Sequence, residues 1–238
     1  MKIALVGYGK MGVAIEEMAT EAGHVISFKI DKLNTNQIVE LNCDNTDVVI
    51  EFSDPSTAVS NITTCLKNNI PVVSGTTGWL HDWKDVEKVC ATYNGSFFYA
   101  SNYSIGVNLF FKINEFIAGL MKKQPYQVGI EEIHHTEKKD SPSGTAITIA
   151  EPIMEQRKIT NWVNTESTNS EELGIISKRE KGVAGTHTVT YGSEVDEISF
   201  THIANSRKGF AKGALSVAEW MFTTKSSGML SMKDFLKF

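Results

Sequence analysis

The residues best equipped for chemistry crowd into "EEIHHTEKKDSPSGTA", residues 131–146. His134 and Lys138 lie four residues apart, and so do His135 and Lys139. Histidine can donate a proton near neutral pH. Lysines fix an anion and raise the acidity of their neighbours. Ser143, Gly144 and Thr145 then open what reads as a helix, where backbone N–H groups and hydroxyls hold a carboxylate or phosphate. A small dianion that is reduced by hydride and then protonated needs this combination. An isolated HHxxKK string would read as a solvated charged loop, and the helix start behind it is what favours a site. A metal is not expected, because the adjacent histidines have no spaced Cys, Asp or His partner nearby in the sequence.

A second motif sits at the other end of the chain. "VGYGKMG" places Gly7, Gly9 and Gly12 in the G-x-G-x-x-G pattern between a strand and a helix, the context that gives the pattern meaning. The first two glycines permit a tight turn and close backbone approach to a pyrophosphate. Gly12 allows close packing of helix on strand, and the helix N-terminus supplies unpaired N–H groups. Asp31 ends the next strand, where an acid accepts hydrogen bonds from an adenine ribose. Lys10 and Lys32 stand near enough to neutralise a 2′-phosphate, so tolerance of both NADH and NADPH is expected.

The elements that position these motifs fall into two groups. Residues 3–6 form a continuous apolar run that reads as a strand buried on both faces. A helix follows over 11–21, then strands in "HVISFKID", "TDVVIEFS", "IPVVSGTTG" and "SFFYASN". Asp54 and Pro55 open an intervening helix. Strands alternating with helices predict a Rossmann-like, doubly wound parallel α/β sheet with its ligand at the carboxyl ends of the strands. From about residue 104 the pattern changes. A long amphipathic helix precedes the alternating strand "YQVGIEEIHH", and "GIISKRE", "GTHTVTYG" and "DEISFTHIA" follow the second helix. These predict a second, α+β domain with an open mixed sheet. "GFAKGALSVAEWMFTT" closes the pattern as a helix, with a short tail behind it. The expected division is residues 1–103 with 207–238 for the dinucleotide, and 104–206 for substrate and oligomerisation. Crossings near 103–108 and 204–207 suggest a closing hinge.

The 238 residues are enough for a sizeable core, and a net charge of -5 offers no field for nucleic acid or an anionic membrane. The three cysteines, Cys43, Cys65 and Cys90, read as reduced side chains in apolar or helical settings. No apolar run approaches a membrane span, and the first is too short for a signal-peptide core. A cytoplasmic protein is expected.

"EEIHHTEKKDSPSGTA" resembles the E-x-x-H-H-x-x-K-x-D-x-P-S-G-T-A motif of the bacterial 4-hydroxy-tetrahydrodipicolinate (dihydrodipicolinate) reductase family. The resemblance extends through "GYGKMG", "SGTTG", "ASNYSIGVN", "GTHTV", "SRKGFAKGAL" and "SGMLSMKDFL". It implies NADH- or NADPH-dependent reduction of a cyclic dicarboxylate in diaminopimelate and lysine biosynthesis, by a homotetramer joined through its second domains. It gives His134 the catalytic acid/base position and Lys138 that of a second proton donor. His135 becomes a substrate contact, while Gly144 and Thr145 hold a substrate carboxylate. The cofactor contacts it implies are Gly7, Tyr8, Gly9, Lys10, Met11 and Gly12 in the glycine loop, with Gly75, Thr76, Thr77, Ala100, Ser101, Asn102 and Tyr103 near the nicotinamide. Arg207 and Lys178 or Arg179 match further basic positions. Lys10 replaces a common arginine, the glycine loop is one residue shorter, and Ser141 replaces a common alanine. Two rivals are another two-domain nicotinamide oxidoreductase, such as an aspartate or homoserine dehydrogenase, and an NAD(H)-sensing regulator.

Overall fold

The computed structural model describes residues 1–206 and 208–238. The chain begins with β1 (Lys2–Val6), α1 (Lys10–Glu21), β2 (Val25–Ile30), β3 (Val48–Glu51) and α2 (Pro55–Lys67). Next come β4 (Val72–Ser74), α3 (Trp83–Thr92), β5 (Ser96–Tyr99), α4 (Ile105–Met121) and β6 (Gln127–His134). Then follow α5 (Gly144–Arg157), β7 (Asn161–Val163), β8 (Glu172–Arg179), β9 (Gly185–Gly192) and β10 (Glu197–Ala204). The last elements are α6 (Lys208–Thr224), β11 (Gly228–Leu230) and α7 (Met232–Leu236). They form two compact units, Met1–Ser104 with Lys208–Phe238, and Ile105–Arg207.

The first unit holds a parallel sheet in the order β11-β5-β4-β3-β1-β2. Its apolar runs are buried on both faces, as continuous hydrophobic strands require. Ile3, Leu5, Ile50 and Phe98 pack with residues of α1 and α6 on one side. Ala4, Val6, Val49 and Phe97 pack with α2 and α3 on the other. Asp54 caps α2 by accepting the Ser56 N–H, and Pro55 occupies the first turn, where no donor is lost. The predicted tail supplies a sixth strand, because β11 pairs in parallel with β5. The α3 helix was not predicted from sequence either. It covers the sheet through the stacked indoles of Trp79 and Trp83, 5.9 Å apart.

The second unit has a five-stranded mixed sheet in the order β10-β9-β6-β8-β7. The pairs β6–β8 and β7–β8 run parallel, while β6–β9 and β9–β10 run antiparallel. Period-2 alternation sends Ile130, Leu173, Ile175, Val189 and Tyr191 into the core against α4 and α5. The opposite face carries side-chain pairs such as Thr188–Thr201 and Thr190–Ser199, each 3.0 Å apart. The short edge strand β7 is a further element that sequence patterning did not predict.

No helix among the described residues is long and apolar enough to cross a membrane. In the first unit Tyr103 is fully packed, and its hydroxyl donates to the Ser74 carbonyl at 2.7 Å. Tyr103→Phe would leave that buried acceptor without its side-chain donor. A loss of about 1–2 kcal/mol is expected by urea unfolding; an unchanged midpoint would refute the assignment.

Candidate active site

Strand register builds the centre of the second unit. On β6, Glu132 stands directly across from Ser177 of β8 and from His187 of β9. His134, two residues on, faces Arg179 across the same β6–β8 ladder. Alternation therefore points all five side chains to the helix-covered face at one end of the sheet. Glu132 is wholly buried, with His134 and His187 nearly so.

The Glu132 carboxylate divides its work between two oxygens. Oε1 accepts the Ser143 N–H at 2.9 Å and the Ser177 hydroxyl at 2.8 Å, with Arg179 Nη1 at 3.7 Å. Oε2 faces His134 Nδ1 at 3.4 Å and His187 Nε2 at 3.6 Å. The two imidazoles meet edge to face, 5.0 Å between centroids. Ser143 is the N-cap of α5: its hydroxyl accepts the Ala146 N–H at 3.1 Å. Helix geometry then leaves the N–H groups of Gly144 and Thr145 without intrahelical partners. Gly144 is exposed, and a Cβ built on it would stand in open space.

The loop between β6 and α5 brings up the cations. Lys138 Nζ pairs with Asp140 at 2.8 Å. The Arg179 guanidinium donates to the Lys138 carbonyl at 3.3 Å and also to that of Asp140, which clasps the loop. Lys178 instead pairs with Glu131. His135 follows the end of β6 and is half-buried, and Lys139 is exposed. Arg207 lies outside the described residues.

Charge in this cluster is set by burial and by few partners. Burial alone would raise the Glu132 carboxyl, but His187 beside Oε2 and hydrogen bonds from Ser143 and Ser177 hold it down at about 2. Burial lowers His134 to about 4; Glu132 pulls the other way, while His187, Lys138 and Arg179 add to the lowering. With no ligand bound, His134 is neutral at pH 7.

In the first unit the glycine loop is pinned to the end of β2, since the N–H groups of Gly7 and Tyr8 both donate to the Ile30 carbonyl at 2.8 and 2.9 Å. Gly7 has φ +91°, and a Cβ there would lie 2.0 Å from the Phe52 carbonyl oxygen. Gly9 faces open space, and α1 begins at Lys10 with no side-chain cap. The Lys10, Met11 and Gly12 N–H groups therefore have no partner within the helix. The Tyr8 hydroxyl donates to Glu16, which pairs with Lys29. Asp31 follows β2, and its Oδ1 accepts the Leu33 N–H at 2.7 Å. Lys10 and Lys32 are exposed.

A second buried carboxylate organises the loops beyond β3 and β4. Glu51 accepts from Ser53, from Ser74 Oγ at 2.6 Å and from Thr76 Oγ1 at 2.8 Å. The Thr76 side chain is thus a strut, with Thr77 exposed beside it and Gly75 close over the Phe52 ring. Ala100 and Tyr103 are packed in the core, Ser101 is exposed, and Asn102 accepts the Ser104 N–H at 2.9 Å.

Sequence reading missed Glu132, Ser177, His187 and Glu51, whose signal exists only in strand register. Sequence spacing near the paired histidines also gave no sign of the Glu132 and His187 side chains that stand beside His134 in the fold. Glu132, His134 and His187 offer donor atoms within 4.8 Å of one another. The cysteine reading needs a correction too. Cys65 and Cys90 are buried, but Cys43 is exposed in a turn after Leu41, because the chain there has left regular structure.

Two family models match the chain, "Dihydrodipicolinate reductase, N-terminus" over residues 1–103 and "Dihydrodipicolinate reductase, C-terminus" over residues 106–236. The chain belongs to the dihydrodipicolinate reductase family. A relative from Christiangramia forsetii, named 4-hydroxy-tetrahydrodipicolinate reductase, is 50% identical and aligns over 99% of this chain and 98% of its own length. One of the same name from Methanocaldococcus jannaschii is 33% identical over 98% of this chain and 80% of its own. A solved dipicolinate-bound dihydrodipicolinate reductase from Paenisporosarcina sp. TG-14 superposes with TM-score 0.74 over 97% of each chain. At 21% identity that match shows the shared fold.

Titration of this reductase-family chain follows from the buried pair. His134 falls from 6.5 to about 4 on folding, so between those values the unfolded chain binds the extra proton. Stability must therefore fall as pH drops from 6.5 towards 4. The Glu132 contribution is present above 4.5 and is lost as pH falls towards about 2. Urea midpoints measured from pH 7 to 4 should flatten in His134→Gln; an equal slope in variant and wild type would refute the assignment.

Proposed function

We propose that this chain catalyses NADH- or NADPH-dependent reduction of 4-hydroxy-tetrahydrodipicolinate to tetrahydrodipicolinate, in diaminopimelate and lysine biosynthesis. The observation that carries the reading is the pair of open N–H groups at Gly144 and Thr145, with Ser143 tied to the carboxylate that faces His134. One carboxylate of the substrate sits on those two N–H groups, helped by the Thr145 hydroxyl and the N-terminal partial charge of α5. His135 and Lys138 complete the hold on the dianion.

The first unit fits a nicotinamide dinucleotide. Open space above Gly9 and three helix-start N–H groups suit the diphosphate. Asp31 suits the adenine ribose, and Lys10 and Lys32 suit a 2′-phosphate, so both reduced cofactors are used. Gly75, Thr77, Ser101 and Asn102 meet the nicotinamide end, and Thr76, Ala100 and Tyr103 shape that wall from within. When bound, the reduced nicotinamide supplies hydride.

The chain's own residues handle protons and charge. Lys138 and His134 are the donors to the atom left electron-rich after reduction, and the substrate's two negative charges favour a protonated His134 that the free site disfavours. No metal enters this scheme, and the positive charges of Arg179 and Lys138 oppose a second cation beside Glu132. The substrate unit also assembles the protein as a homotetramer, through the open sheet face that carries Thr188, Thr190, Ser199 and Thr201.

A coupled assay tests the reading: the product of dihydrodipicolinate synthase is supplied and nicotinamide absorbance is followed with each cofactor. Oxidation of both is expected, with turnover lowered by ~10²-fold in His134→Gln and in Lys138→Met. No oxidation of either cofactor by the wild type would end the proposal. Asp31→Ala should weaken NADH more than NADPH, and Lys10→Ala the reverse; equal effects would remove the assigned selectivity.

A further inference from the structure

Four elements converge on His134. Glu132 comes from its own strand β6, His187 from β9, Arg179 from β8, and Lys138 from the loop that leads into α5. Only Glu132 among them is an anion, and its Oε2 and the Nδ1 of His134 are both buried without a hydrogen-bond partner among the described residues. That oxygen lies on the Nδ1 side of the His134 ring, at 3.4 Å. The Nε2 side lies over Gly185, where an added Cβ would stand 3.2 Å from Nε2. The ring thus has one edge turned to a buried carboxylate, and the other passes over a strand residue that has no side chain. Such a carboxylate–imidazole pair selects the Nδ1–H tautomer and leaves Nε2 for exchange of protons.

Resting on the reductase reading above, the geometry points to Glu132 and His187 as positioning residues for the proton step. Glu132 holds Nδ1–H of His134, so that Nε2 is the working nitrogen. His187 braces the same oxygen from β9 at 3.6 Å and sits 3.4 Å from the Ser143 hydroxyl. Through its other oxygen, Glu132 holds the Ser143 N–H and hence the first turn of α5. One carboxylate therefore aligns the proton donor with the N–H groups that grip the substrate.

The step balances simply. With the dianion bound, Nε2 carries a proton taken from solvent, and Glu132 is the counter-ion of the imidazolium. After hydride addition the Nε2–H bond breaks, and its proton bonds to the electron-rich substrate atom. The positive charge on the ring and the extra negative charge on the substrate disappear together, and His134 returns to its Nδ1–H form.

Two measurements test this on the full-length protein. In ¹⁵N NMR of histidine-labelled enzyme without ligand at pH 7.5, with His134→Gln used to assign the resonance, His134 should show Nδ1–H and a bare Nε2. An Nε2–H tautomer would overturn the proposal. In the coupled assay Glu132→Gln keeps an acceptor for Ser143 and Ser177 but loses the charge. Its kcat should fall by ~10²-fold with substrate KM within about threefold of wild type, and the alkaline limb of kcat should move to lower pH. Glu132→Ala should raise substrate KM as well, and His187→Gln should lower kcat by less than Glu132→Gln. Wild-type kcat and pH profile in Glu132→Gln would overturn the proposal. The NMR measurement uses no substrate, so it also separates the two ideas: a wild type inactive on the dicarboxylate defeats the proposed function, whereas the tautomer alone decides the positioning.

Discussion

A carboxylate with no exposure to water, in the middle of a five-stranded sheet, is the constraint on which the second unit's chemistry depends. Leaving an ionised Glu132 there without partners would cost several kcal/mol. Strand pairing removes most of that cost by setting Ser177 and His187 on either side of it, and the Ser143 N–H adds a third donor from outside the sheet. The same bonds that keep the charge ionised fix everything near it. α5 has its first turn anchored at Ser143, and His134 keeps one ring edge facing the carboxylate. A slip of one residue in the β6 register would send Glu132 and His134 to the opposite face and dissolve the site.

The first unit uses the same device for a different purpose. Glu51 ends β3 and gathers Ser53, Ser74 and Thr76, so the loops after β3 and β4 are held in one arrangement. Its partners are hydroxyls and a backbone N–H, with no imidazole among them. Glu51 therefore only ties loops together, whereas Glu132 has two imidazoles facing one of its oxygens. Gly7 shows how tightly those loops are packed, since a single Cβ would run into the Phe52 backbone.

Much of this was legible in the sequence, and what was not has a physical cause. Continuous apolar runs announced the parallel sheet because burial on both faces removes alternation. Asp54 and Pro55 marked their helix start through capping chemistry that is local by nature. The strand β11 escaped notice because three residues carry too little periodicity, and the α3 sequence, rich in charge, hid an apolar stripe of Val86 and Cys90. At the site, His134, Lys138 and the Gly144–Thr145 start lie within one short segment and could be read together. Glu132 sat in plain view two residues away, but its importance could not be seen. Its partners Ser177 and His187 come from strands 45 and 55 residues on, and only the register of three strands joins them. Tyr103 and Thr76 are expected against a cofactor from local sequence, but the buried hydrogen bonds of their hydroxyls to Ser74 and Glu51 join distant strands and could not be read there.

The most direct measurement is a crystal structure of this protein with pyridine-2,6-dicarboxylate and a reduced nicotinamide cofactor. One carboxylate should lie about 2.7–3.2 Å from the N–H groups of Gly144 and Thr145, with the ring beside His134 Nε2 and Glu132 still facing Nδ1. A dicarboxylate bound elsewhere, with those two N–H groups left to water, would contradict the account.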